Sequence, residues 1–197
     1  MSIPARRPPK HTIADWLAQP EERRYELIDG ELVEKASPDF DHGLAQGGVV
    51  DVIRRPFHRR SGGSFPGGWW IVPEVDVQLG ELGFRPDVSG WRRDRIPQMP
   101  RERPVKLTPD WICEIVSESN ATTDTVVKLR RYHQGGVPYY WLIDRKTGTL
   151  TVYRHQTEGY LSILIAERGE TVRAQPFDAI ELRVGLLLGD DPDEPAP

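Results

Sequence analysis

The apolar run from Trp111 to Val116 predicts a buried strand, and a single carboxylate, Glu114, interrupts it. Alternation along a strand gives one face with Ile112, Glu114 and Val116 and another with Trp111, Cys113 and Ile115. A buried carboxylate must be protonated, paired with a cation or bound to a metal, because burying it alone is costly. The pattern therefore makes Glu114 the first candidate for chemistry.

The amino-terminal pattern predicts a short helix followed by a hairpin. Thr12 and Asp15 are spaced as a capping box, and Pro20 ends the helix. Residues 25–34 predict two strands around Asp29-Gly30, a dipeptide typical of two-residue hairpin turns.

A long helix and two strands are predicted in the middle of the chain. Apolar residues recur at helical spacing between residues 39 and 60, so we predict a helix there in spite of two glycines and a proline. Residues 69–79 predict a strand, and in its second half buried apolar residues alternate with exposed polar and charged residues. Residues 84–91 predict a second strand. Residues 92–109 predict a long polar connection.

The carboxyl-terminal half predicts one helix and a β-rich remainder. Thr122 or Thr123 caps a helix that runs to about His133 and ends at Gly135-Gly136. Strands follow the buried one at residues 139–144, 149–154, 160–166 and 178–184. The whole order predicts an α/β (α+β) domain with a mixed central sheet flanked by helices.

Length and composition bound the organisation of the chain. Its 197 residues predict one domain over residues 12–188, with a basic, proline-rich arm at residues 1–11 and an acidic, disordered tail at residues 189–197. Apolar runs are too short for a membrane span and no signal-peptide pattern is present, so we expect a cytoplasmic protein.

Charge and cysteine content exclude several functions. The net charge of −4 argues against a general polyanion binder, so any nucleic acid must contact a local basic surface. Cys113 is the sole cysteine, which excludes an internal disulfide and a cysteine-rich zinc site. The six tryptophans are predicted core residues and not platforms for base stacking.

Two acids and a lysine are the candidate chemical centre. Asp87 follows Pro86, Glu114 lies on the buried strand, and Lys128 lies on the helix predicted after that strand. We predict that these three side chains share one pocket.

These features resemble the restriction-endonuclease-like PD-(D/E)XK superfamily, and more closely the bacterial Uma-two family of endonuclease-like proteins, domain of unknown function 820. The matching pieces, in chain order, are residues 25–31, His42, residues 85–87, residues 114–117, Asp124 with Lys128, and residues 136–144. The chain departs from the superfamily where Val116 replaces the strand lysine, whose role in this family passes to the helix and here to Lys128. It departs from the family where Glu118 replaces a proline.

The resemblance implies a divalent-metal-dependent endonuclease that hydrolyses phosphodiester bonds in DNA. Asp87, Glu114 and the backbone carbonyl of Ile115 would bind Mg²⁺ or Mn²⁺, hard cations that prefer oxygen ligands. Lys128 would orient the attacking water or stabilise the developing charge. A homodimer is also expected, since two cuts in a duplex need two sites.

Other residues are accessory candidates. Glu26 would add a carboxylate, His42 would contact a phosphate or shuttle a proton, and Asp124 matches the family beside Lys128. Arg130 and Arg131 are candidate phosphate contacts, as are the arginine pairs at residues 54–55 and 59–60.

Each candidate also has a purely structural interpretation. Asp87 would cap backbone N–H groups after the proline. Glu114 would form a buried ion pair with a nearby arginine such as Arg85. Lys128 would form an exposed pair with Asp124, which contributes about 0.3–0.5 kcal/mol.

Two other functions fit the same residues. The first is a catalytically silent binding or assembly module, favoured by the acidic net charge and the absent strand lysine. The second is a metal-dependent hydrolase of a small phosphoester, which would have a closed pocket in place of an open basic groove.

Overall fold

A computed structural model describes residues 10–116 and 123–193, apart from the side chains of Thr123 and Asp124. Most of the predicted arm and the end of the predicted tail lie outside these residues, as do Thr122, Ser117 and Glu118. The predicted domain boundaries at residues 12 and 188 stay predictions.

Four α-helices, one short 3-10 helix (Glu21–Arg23), one π-helical segment and twelve strands form the described fold. The helices are α1 (Ile13–Leu17), α2 (Phe40–Phe57), α3 (Leu129–Gln134) and α4 (Val184–Leu187). The first six strands are β1 (Tyr25–Ile28), β2 (Glu31–Glu34), β3 (Trp69–Pro73), β4 (Val77–Leu79), β5 (Leu82–Phe84) and β6 (Val88–Arg92). The others are β7 (Trp111–Val116), β8 (Tyr139–Asp144), β9 (Thr149–Gln156), β10 (Gly159–Glu167), β11 (Thr171–Val172) and β12 (Leu182–Arg183).

A six-stranded sheet with the order β10-β9-β8-β7-β6-β3 forms the centre of the molecule. Strands β7 and β8 are parallel, and every other pairing between described strands is antiparallel. A second sheet has the order β2-β1-β5-β4, and β11 pairs with β12. The predicted mixed sheet with flanking helices is confirmed.

The central strand β7 has the two apolar faces that its alternation predicts. Trp111, Cys113 and Ile115 pack in one core with residues of α2 and α4. Ile112 and Val116 pack in a second core, on the opposite face. Five of the six tryptophans are buried, which confirms them as core residues. Glu114 therefore points into the second core, beside the connection that leads from β7 to β8.

The local signals at the amino terminus are confirmed. Thr12 and Asp15 form the reciprocal capping box of α1. The hairpin turns at Asp29 and Gly30, whose φ angles of 54° and 79° match a primed two-residue turn. Asp39 caps α2 by accepting the backbone N–H of His42 at 2.7 Å.

Three predicted elements differ from the structure. The strand predicted at residues 69–79 is divided between two sheets, because Glu74 has a φ of 55° and turns the chain between β3 and β4. The strand predicted at residues 84–91 is likewise divided by residues 85–87 into β5 and β6. Only β12 is extended within residues 178–184, because the chain enters α4 at Val184.

The helix predicted after β7 has two parts in the described chain. Its first part, Thr123–Lys128, is π-helical and continues into α3. No helix within residues 10–116 or 123–193 is both long and apolar enough to cross a membrane.

Candidate active site

Asp87 and Glu114 lie beside each other because β6 and β7 pair antiparallel. Val88, the first residue of β6, is opposite Cys113, so the residue before it comes to the end of β7 that carries Glu114. Asp87 Oδ2 accepts the backbone N–H of Ile115 at 2.7 Å. Both carboxylates are buried, with exposures of 0% and 1%. Asp87 therefore accepts a backbone N–H, but from strand β7 and not from the turn after Pro86, where its capping role was predicted.

Lys128 reaches Glu114 because a parallel β7–β8 pair needs a connection that crosses a face of the sheet. Its Nζ lies 3.0 Å from Oε1 of Glu114 and 3.0 Å from Oε2 of Glu26. The side chain is buried, so its interpretation as an exposed ion pair is wrong. The side chain of Asp124, the predicted partner in that pair and an accessory candidate, lies outside the described residues.

Tyr132 is a second neighbour of Glu114 and was not a sequence candidate. Its hydroxyl donates to Oε1 of Glu114 at 2.5 Å. Burial, followed by the charge of Glu114, raises the pKa of Tyr132 well above 10.0. The predicted pairing of Glu114 with Arg85 is wrong, because the guanidinium of Arg85 donates to Asp76 at 2.7 Å.

Lys35, which directly follows β2, is the other residue that the sequence did not indicate. Its Nζ lies 2.6 Å from Oδ1 of Asp87 and 3.8 Å from Oε2 of Glu114. It also donates to the carbonyl oxygen of Arg85 at 2.8 Å. A lone lysine after a half-exposed strand has no pattern that distinguishes it from a surface residue.

The accessory candidates Glu26 and His42 also belong to this cluster. Glu26 accepts the backbone N–H of Arg85 at 3.0 Å through the oxygen that does not face Lys128. His42 Nε2 lies 3.2 Å from Oδ1 of Asp87. Both residues are buried, and their chemical roles stay predictions.

The centre, defined as Glu26, Lys35, His42, Asp87, Glu114, Lys128 and Tyr132, is a network of paired charges. Burial raises the pKa of Asp87, but the ammonium of Lys35 and the contact with His42 outweigh burial and hold it well below 3.8. Burial lowers the pKa of Lys35, and the negative charges of Asp87 and Glu114 more than compensate, so it is raised above 10.5. Removing one partner would leave a buried charge without compensation, which is strongly destabilising.

The carboxylates of the centre have the donor chemistry that Mg²⁺ or Mn²⁺ requires. Asp87 and Glu114 each bring an oxygen within 4 Å of a single cationic nitrogen, that of Lys35. Within the described residues, however, no three His, Cys, Asp or Glu side chains are grouped as a metal site. The two carboxylates fit Mg²⁺, which is commonly bound through one or two carboxylates and keeps several waters.

The predicted phosphate-binding arginines lie at different places. Arg130 is exposed, whereas Arg131 is partly buried and pairs with Asp29 and Gln134. Arg54 and Arg55 lie in the last turn of α2, roughly 18 Å along the helix from His42, and Arg59 and Arg60 follow the end of the helix. A depression of about 440 Å³ lies there, lined by Gly47, Val50, Asp51, Arg54, Arg55 and His58.

The chain is similar to one protein family and to solved structures. The family with the description "Uma2: Putative restriction endonuclease" matches residues 12–185. A crystal structure described as "a putative nuclease belonging to DUF820", from Anabaena variabilis, superposes with a TM-score of 0.72 and 25% sequence identity. The superposition covers 90% of this chain and 97% of the other. A search of curated proteins gives no significant match.

Proposed function

The chain belongs to the Uma2 family, and we propose that it is a divalent-metal-dependent endonuclease that hydrolyses phosphodiester bonds in DNA. The family match and the similarity to the solved structure both support a nuclease. The observation that carries the proposal is the convergence of Asp87 and Glu114 on the Lys35 ammonium, with Lys128 in contact with the other oxygen of Glu114.

Asp87 and Glu114 would hold the metal, together with the carbonyl oxygen of Ile115. The N–H and C=O of an extended residue point to the same edge of its strand, and the N–H of Ile115 already faces Asp87. A bound divalent ion supplies charge neutralisation at the scissile phosphate and lowers the pKa of a water.

The remaining residues of the centre would position groups around the phosphate. Lys128 would donate to the attacking water or to a phosphate oxygen. Glu26 and Glu114 both contact the ammonium of Lys128 at 3.0 Å, which restrains its direction. His42 contacts Oδ1 of Asp87 and would keep that carboxylate in its orientation.

The experiment is a set of near-isosteric substitutions at the centre, measured for both binding and cleavage. Asp87→Asn and Glu114→Gln should each lose Mn²⁺ binding by calorimetry and lose plasmid cleavage by at least about 100-fold. Asp110→Asn is the matched control, because Asp110 is buried and paired with Arg95 outside the centre. Center variants that fold and still cleave DNA at the wild-type rate would contradict the proposal.

A catalytically silent module is the second candidate. It is favoured by one observation: the buried acids are already paired with buried lysines. In that case the wild type binds no Mn²⁺, and Asp87→Asn and Glu114→Gln lower stability without changing any activity. Running RNA and bis(p-nitrophenyl) phosphate beside DNA tests the remaining alternatives, an RNA substrate and a small phosphoester.

A further inference from the structure

The two lysines of the centre contact different parts of the carboxylate cluster. Lys128 faces Oε1 of Glu114 and Oε2 of Glu26. Lys35 faces Oδ1 of Asp87, at 2.6 Å, and Oε2 of Glu114, at 3.8 Å. The pair of acids proposed to hold the metal is therefore the pair that Lys35 neutralises.

From this geometry we infer that the Lys35 ammonium occupies the cation position between Asp87 and Glu114, and that a divalent ion binds there by displacing it. The inference rests on the proposed metal site. An ammonium and a divalent cation repel strongly at contact distance in a buried environment, so both cannot occupy this position. Lys35 thus competes with the metal for this position and does not help to bind it.

The side chain of Lys35 is suited to leave the position. It is an unbranched chain with four methylene groups, attached directly after β2 at an edge of the four-stranded sheet. Its side chain retains 8% exposure, whereas Asp87 and Glu114 retain 1%. Lys35 is therefore more exposed than either of the two acids with which it pairs.

Displacement has a measurable consequence for metal affinity. A metal ion that must break the Lys35–Asp87 pair binds more weakly than one that enters a position without a competitor. Lys35→Met removes the charge and keeps a long unbranched side chain, so it should tighten Mn²⁺ binding by at least about tenfold. Lys35→Arg keeps the charge, so its affinity should remain near that of the wild type.

The test is calorimetric titration of Mn²⁺ into the wild type, Lys35→Met, Lys35→Arg and Lys128→Met at one neutral pH, with no nucleic acid present. Thermal unfolding with and without Mn²⁺ is measured in parallel. Lys35→Met should be less stable than the wild type without metal and should gain more from Mn²⁺, because the metal restores the missing charge. Lys128→Met should show no such gain, since it leaves Lys35 in place.

The outcomes separate this inference from the proposed function. If the wild type binds Mn²⁺ and Lys35→Met binds it with the same or a lower affinity, the inference is overturned and the proposed metal site is retained. An equal gain in thermal stability from Mn²⁺ in Lys128→Met also overturns the inference. Absence of Mn²⁺ binding in every variant overturns the proposed metal site itself. A Lys35→Met chain that stays unfolded at all Mn²⁺ concentrations contradicts the inference, because a cation in that position should replace the lost charge.

Discussion

Tyr132 donates its hydroxyl hydrogen to the same oxygen of Glu114 that accepts from Lys128, at distances of 2.5 Å and 3.0 Å. Burial and the charge of Glu114 raise the pKa of Tyr132, so this hydroxyl stays protonated at alkaline pH values where a free tyrosine ionises. Its ring also packs against Phe84 and Tyr140 in the second core. The tyrosine therefore links the buried carboxylate to apolar packing.

Tyr132→Phe should lower the free energy of unfolding by about 1.5–3 kcal/mol, because a hydrogen bond to a buried charged group is lost while the ring contacts remain. Urea denaturation with an unchanged m-value is the measurement. Tyr153→Phe is the control, since the described structure gives that hydroxyl no hydrogen bond, and its effect should stay within about 0.5 kcal/mol. Equal losses in both variants would argue against the Glu114 contact.

Adjacent glycines of α2 should respond oppositely to alanine. A Cβ at Gly47 meets nothing within 4 Å, so Gly47→Ala should stabilise the protein by about 0.5–1 kcal/mol. A Cβ at Gly48 lies directly against the carbonyl oxygen of Leu186, so Gly48→Ala should destabilise by about 1–3 kcal/mol. Thermal unfolding of the two variants measures whether stability rises in one and falls in the other.

His58 should make stability fall as the solution becomes acidic. Burial, and then the charges of Arg54 and Arg93, hold its pKa below 6.5, and its Nδ1 accepts the backbone N–H of Ile71 at 2.8 Å. A depressed pKa contributes stability that is present above pH 6.5 and is lost as the pH falls through the folded-state value.

The measurement compares urea midpoints of the wild type and His58→Asn between pH 7.5 and pH 5, both taken as approximate limits around the ordinary histidine pKa. The variant lacks the titrating ring, so its midpoint should fall less over this interval. Parallel pH profiles would refute the role of His58, since every other titrating group is common to both proteins.

Arg54 and Arg55 should contribute to nucleic-acid affinity. Both are exposed, and no carboxylate in the described part of the chain forms an ion pair with either. If they contact phosphates, Arg54→Gln/Arg55→Gln should reduce the slope of log K against log salt by about 1.8 for duplex DNA. Arg101→Gln/Lys106→Gln is the charge-matched control, and an equal change in slope there would indicate nonspecific electrostatics.

Local sequence signals were sufficient for the elements that carry Glu26 and Glu114. The hairpin follows from Asp29-Gly30, and the burial of Glu114 follows from its apolar neighbours on β7. Local signals failed where a single residue turns the chain. Glu74 adopts a positive φ that its residue type does not predict, so one predicted strand became two strands in different sheets.

The partners of the acids were harder to predict, because tertiary packing selects them. The structural interpretation paired Glu114 with a nearby arginine such as Arg85, but Arg85 pairs with Asp76, which is buried although the alternation predicts it exposed. Lys35 meets Asp87 across 52 positions of sequence. No periodicity within one segment contains information about such a contact.

The parallel pairing of β7 and β8 also has a consequence for folding kinetics. Lys128 and Tyr132 contact Glu114 across 14 and 18 positions, within the connection between these strands. His42 and Lys35 contact Asp87 across 45 and 52 positions. Because closing a longer loop costs more entropy, we expect the β7–β8 unit to form early and to remain folded when the amino-terminal hairpin opens. Opening of that hairpin would carry Glu26 and Lys35 away from a Glu114 that keeps its local partners.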